Sequence, residues 1–137
     1  MINNPKHGWC DFKLGDFIGH PSYLTNVPVD LLRGFVELFS RGTSSVFFDE
    51  EGTEFTLVMT PYSIFIIEEK DSPHLIALSE LNPKEIAKEL IVDIKENFIK
   101  WCHWNPKDNF YDQKENLEKL IRDLESKLSS KKKALFE

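Results

Sequence analysis

The densest group of reactive side chains in the sequence is Trp101-Cys102-His103-Trp104. A thiol beside an imidazole suggests a nucleophile–base pair or two ligands of a metal ion. The spacing argues against both. Neighbours on a helix point about 100° apart, so Cys102 and His103 do not converge easily on one atom. Cys102 also falls on the apolar stripe of its predicted helix, where a free cysteine is ordinarily a small buried hydrophobe. Cys10 is far away in sequence and neither cysteine belongs to a CxxC pair. His7, His20 and His74 lie in or beside predicted loops, at no fixed spacing from a nucleophile.

Phosphate loops, dinucleotide fingerprints, HExxH, GxSxG and EF-hand loops are absent from the chain. Asp49-Glu50-Glu51-Gly52 is acidic but lacks the spacing of a calcium loop. No cofactor and no metal is implied, and the chain is read as a protein without catalysis of its own. Carboxylates that act as general acid and base carry no sequence signature, so a small enzyme with unsignalled carboxylates is kept as one alternative.

Carboxylates do gather in two predicted turns. One turn carries Asp49, Glu50 and Glu51; another carries Glu68, Glu69 and Asp71, opposed only by Lys70. In an antiparallel meander alternate turns lie at the same end of the sheet. Two strand spacings separate them by roughly 10 Å, about one Debye length at physiological salt, so their fields add. Such an end suits docking to a basic protein surface. The plainer reading is that both turns are merely solvated, as hairpin ends usually are.

The elements that must position these turns follow from periodicity. Trp9 to Ile18 reads as a strand, with Cys10, Phe12 and Leu14 on one face. Gly19-His20-Pro21-Ser22 is a turn. A helix is expected over 28–41, with Pro28 in its first turn, an apolar stripe of Leu31, Leu32, Phe35, Leu38 and Phe39, and Gly42 as its stop. Strands are expected at 45–50, 53–60, 63–69 and 74–78, joined by connections too short for anything but antiparallel hairpins. Ile64-Phe65-Ile66-Ile67 is apolar on both faces, which predicts a central strand covered on both sides. Asn82-Pro83, with Glu85 at the capping-box position, opens a second helix running to about His103. A third spans about 112–130, where Leu117, Ile121, Leu124 and Leu128 follow heptad steps. Fewer than three heptads is short for an independent coiled coil, which favours folding back on the second helix over pairing with another chain. Lys131-Lys132-Lys133 suits a solvated helix end.

The expected fold class is therefore α+β: an antiparallel sheet of about five strands packed by helices, ending in a C-terminal helical hairpin. Residues 1–137 read as a single domain, with 107–137 a helical extension. The net charge of −6 is concentrated in residues 1–70, which hold ten acids against five bases. That balance argues against general nucleic-acid binding and permits a basic partner. Two unpaired cysteines suggest a reducing compartment. The N-terminus shows no secretory h-region and the longest apolar run is too short to cross a bilayer, so a cytoplasmic location without membrane contact is expected.

The layout of Trp9-Cys10-Asp11-Phe12 through Ser22-Tyr23-Leu24-Thr25, the Asp49-Glu50-Glu51-Gly52 hairpin and the helix ending at Trp101 resembles the small acidic immunity proteins of bacterial toxin–immunity systems. The resemblance covers about residues 8–104 and rests on layout, size and charge; the lysine-rich third helix departs from it. It implies a protein that neutralises one cognate toxin by stoichiometric complex formation. Asp49, Glu50, Glu51, Glu68, Glu69 and Asp71 are the candidate partner-binding residues from the turn analysis. A monomer is favoured. A dimeric scaffold or regulatory subunit, pairing through 112–130, is the other alternative.

Overall fold

The computed structural model describes residues 1–130. Its strands form two antiparallel sheets, one of three strands and one of four, in place of the single sheet of about five expected. The first contains β1 (Ile2–Lys6), β2 (Trp9–Leu14) and β3 (Phe17–Gly19), in that order. The predicted strand from Trp9 to Ile18 is thus a hairpin. Gly15 takes a φ of +58° at the turn and Leu14 pairs with Phe17. The apolar phase marks the break, since the buried positions run 10, 12, 14 and then jump to 17.

Sequence periodicity gave no sign of β1. Its residues include two asparagines and a proline, all poor strand formers. It is an edge strand, where a proline is tolerated, and its register slips between Asn3 and Lys6. Specific polar contacts hold it. The Asn4 side chain donates to Asp11 Oδ2 (2.8 Å). The Met1 amine donates to Glu89 Oε1 (2.6 Å) and to Asp93 Oδ2 (2.5 Å). Burial pulls the pKa of that amine down, but the hydrogen bonds and charges of Asp93 and Glu89 outweigh it and leave the pKa raised.

The second sheet is a meander of β4 (Ser44–Asp49), β5 (Glu54–Met59), β6 (Ile64–Glu69) and β7 (Pro73–Ala77), neighbouring one another in sequence order. Phe12 of the first sheet meets Phe48 and Phe55 of the second, and Phe17 meets Phe55, with ring centroids from 4.9 to 5.1 Å apart. A Cβ at Gly19 would lie 2.7 Å from the Phe55 ring, so only glycine lets β3 approach this closely.

Helix α1 (Val27–Arg41) packs on β4 and ends at Gly42, whose N–H donates to Leu38 O (2.8 Å). Helix α2 (Pro83–Glu96) begins as expected: Asn82 Oδ1 accepts from Lys84 N (2.9 Å) and Glu85 N (3.3 Å). It does not continue to His103. Asn97, with φ −126° and ψ 36°, ends α2 and opens a short helix α3 (Phe98–Cys102). Asparagine competes poorly for a helix interior, and the break places Trp101 and Cys102 in the core.

Helix α4 (Phe110–Ser129) starts at an Asn109 cap. It does not form a hairpin with α2. Its main partner is α1, with α3 second and α2 contributing little. Leu117, Leu120, Ile121 and Leu124 are buried in this contact, so the heptad stripe is engaged inside the chain. The Asn26 and Gln113 side-chain amides exchange two hydrogen bonds of 3.0 Å across the same interface. The predicted solvated end at Lys131–Lys133 lies outside the described residues.

Leu90 and Ile94 of α2 are fully buried, beneath a helix that also clamps the Met1 amine. Replacing either by alanine should cost about 2–5 kcal/mol, through lost burial and a residual cavity. Urea denaturation measures this; a loss under about 1 kcal/mol at both sites would contradict the packing.

Candidate interaction face

Side chains of β4–β7 alternate between two faces. Val46, Phe48, Phe55, Leu57, Met59, Ile64 and Ile66 point inward and are buried. The outward positions are half-buried or exposed along all four strands. The prediction that β6 is covered on both sides is therefore corrected. The strand is central, but its outer residues Phe65 and Ile67 are only half-buried.

Register arranges the outer face in three rows. Ser45, Val58, Phe65 and Ala77 form one row, and Phe47, Thr56, Ile67 and Leu75 the next. Phe47 is 43% exposed and Leu75 69% exposed. The third row is Asp49, Glu54, Glu69 and Pro73. Three carboxylates from three adjacent strands thus border an apolar sheet face.

Sequence reasoning missed Glu54, the middle of these three. Its position was legible only through the hairpin, because the first β5 residue must face the last β4 residue. The Glu54 carboxyl is held above the ordinary glutamate range, first by a hydrogen bond with Glu69, then by desolvation and by the charges of Glu69 and Asp49.

The six predicted acids divide. Asp49 and Glu69 stand in the row. Asp49 Oδ1 also accepts from Glu51 N (2.7 Å), and Asp49 O accepts from Ser22 N (2.8 Å). Glu50 ties the sheets together: it accepts from His20 N (2.8 Å) and from Thr53 Oγ1 (3.0 Å). Glu51 and Asp71 are exposed at their turns. Glu68 belongs to the inner face by register with Phe55 and His74, and contacts Lys70 Nζ at 3.5 Å.

The thiols and imidazoles do not converge. Cys102 is buried while the adjacent His103 is exposed against the Phe110 ring, 4.6 Å between centroids. Burial and then Asp11 push the Cys10 thiol up to about 12. Burial also raises Cys102, with Glu118 adding and Lys114 opposing. Both thiols are therefore poor sources of thiolate. Among the described residues no three His, Cys, Asp or Glu side chains are grouped to hold a metal ion, and no helix is long and apolar enough to cross a membrane.

No family model, curated protein or solved structure matches this chain.

The raised Glu54 pKa has a stability consequence. A group whose folded pKa exceeds its unfolded value favours the fold below the unfolded value, about 4.3 for glutamate. That contribution is lost as pH rises through the folded pKa. Glu54→Gln should therefore gain stability relative to the wild-type chain as pH rises from about 4 toward neutrality. Urea melts across this range give the difference, and a difference independent of pH would contradict the coupling.

Proposed function

We propose that the chain is a stoichiometric binding protein that docks a basic protein through the outer face of β4–β7, and that this partner is a toxin which the complex neutralises. The observation that carries the docking reading is the row Asp49, Glu54, Glu69 beside the exposed Phe47 and Leu75. An apolar centre with a charged border is the usual anatomy of a specific protein interface. Within the row, Glu54 is unfavourably placed as long as its neighbours are carboxylates alone. A lysine or arginine brought against the row relieves that repulsion, whereas a second copy of the same face adds to it. The toxin reading rests on the resemblance in layout, size and charge to small acidic immunity proteins, which act by this kind of complex.

The test begins with capture of partners from the cell that encodes the chain, using wild-type bait and a Glu54→Lys/Glu69→Lys double variant. The expected partner is basic, binds one to one, is toxic when produced alone and is harmless when produced with the wild-type chain. The double variant should slow association by tenfold or more, since steering depends on the summed field, and should weaken the salt dependence. Leu75→Asp should mainly speed dissociation, because it places a charge in the apolar row. An association rate indifferent to the charge reversal would overturn the docking face. A harmless partner would overturn the toxin reading alone.

A further inference from the structure

The β1–β2 turn and the end of α3 enclose a groove of about 460 Å³. Lys6, His7, Lys100 and His103 line it, together with Ile99 and Trp104, and no carboxylate does. This is an unusual concentration of cationic and protonatable groups in a chain of net charge −6. Among the described lysines and arginines, Lys70, Lys88, Lys95 and Arg41 have a carboxylate within 4.0 Å, and most of the others do not. Lys6 and Lys100 have no ion pair or side-chain hydrogen bond among the described residues, and neither has His7.

The backbone adds a second observation. His7 and Gly8 are the central residues of the turn between the paired Lys6 and Trp9, with φ values of +55° and +77°. A turn with both φ values positive strongly prefers asparagine before the glycine. Histidine is one of the side chains that tolerate this left-handed region, and the turn fixes its backbone at the mouth of the groove. Three of the carbonyls at the end of α3, which would repel an anion, are occupied: His103 N donates to Ile99 O and Lys100 O, and Trp104 N and Gln113 Nε2 donate to Trp101 O.

We propose that this groove binds a phosphate-bearing small molecule. Lys6 and Lys100 receive the phosphate as charge-assisted donors to its oxygens, and the two imidazoles add ring N–H donors. Ile99, 58% exposed, receives the carbon skeleton, with the largely buried Trp104 beside it in the lining. The volume lies within the range of small-ligand clefts, and a few polar groups beside apolar walls is their common composition.

The experiment titrates the full chain at low ionic strength with inorganic phosphate, with AMP and with adenosine, read by amide chemical shifts. Shifts from phosphate and AMP are expected at residues 6–9 and 99–104, with AMP binding at least tenfold more tightly than phosphate and adenosine not binding. Lys6→Ala/Lys100→Ala should weaken AMP binding tenfold or more with an unchanged melting temperature. His7→Asn, which suits the turn better, should leave the fold at least as stable and still weaken binding. Glu54→Lys/Glu69→Lys should leave AMP binding intact, which keeps this site separate from the docking face. No shift at millimolar phosphate or AMP, shifts scattered over lysines elsewhere, or affinity unaffected by the lysine and histidine variants would overturn the proposal. Phosphate binding as tightly as AMP would overturn the role given to Ile99 and Trp104.

Discussion

Phe12 and Phe17 from one sheet meet Phe48 and Phe55 from the other, and the placement of the candidate interaction face follows from that meeting. Aromatic rings bury large areas and prefer tilted or offset contacts, so this seam determines how the two sheets sit together. Once β3 lies against Phe55, the segment after it falls beside the β4–β5 turn. There His20 N donates to Glu50 and Ser22 N to Asp49 O. These bonds anchor the turn from behind. Asp49 is thereby held in line with Glu54 and Glu69 although all three carry like charge. The seam supplies the order that the repulsion would otherwise disperse.

Charge in this molecule is sorted by region. The sheet end gathers carboxylates that have few cations near them, and the β1–β2 turn and α3 gather cations that have no carboxylate beside them. A few cations elsewhere pair locally, as Arg41 does with Glu37 and Lys88 with Glu85. Exposed pairs of that kind contribute little to stability.

Much of the fold was legible in the residues. The β4–β7 hairpins followed from turns too short for crossovers, and α2 from Asn82-Pro83 with Glu85 downstream. What was hidden depends on contacts distant in sequence. Strand β1 consists of poor strand formers and is held by Asp11, Glu89 and Asp93. Helix α4 found α1 rather than α2, because the Asn26–Gln113 amide pair and the buried leucines lie across that interface. Alternation in β6 could not say whether its second apolar face was covered. Of the acidic face, Asp49 and Glu69 were readable from the turns. Glu54 was not, because its role comes from register, and the apolar rows were not, because they need four strands side by side.

The Asn26–Gln113 pair joins positions 87 residues apart. Closing so long a loop costs only about 0.6 kcal/mol more than closing one half its length, so the distance is cheap at equilibrium. It matters for the order of events during synthesis. The meander is built from neighbours in sequence, and local pairings form soonest. The face of α1 that α4 covers stays uncovered until the last third of the chain has emerged. A nascent chain thus carries a finished β4–β7 meander well before its helical layer is complete. During that interval the exposed α1 stripe is the surface most in need of protection from wrong contacts.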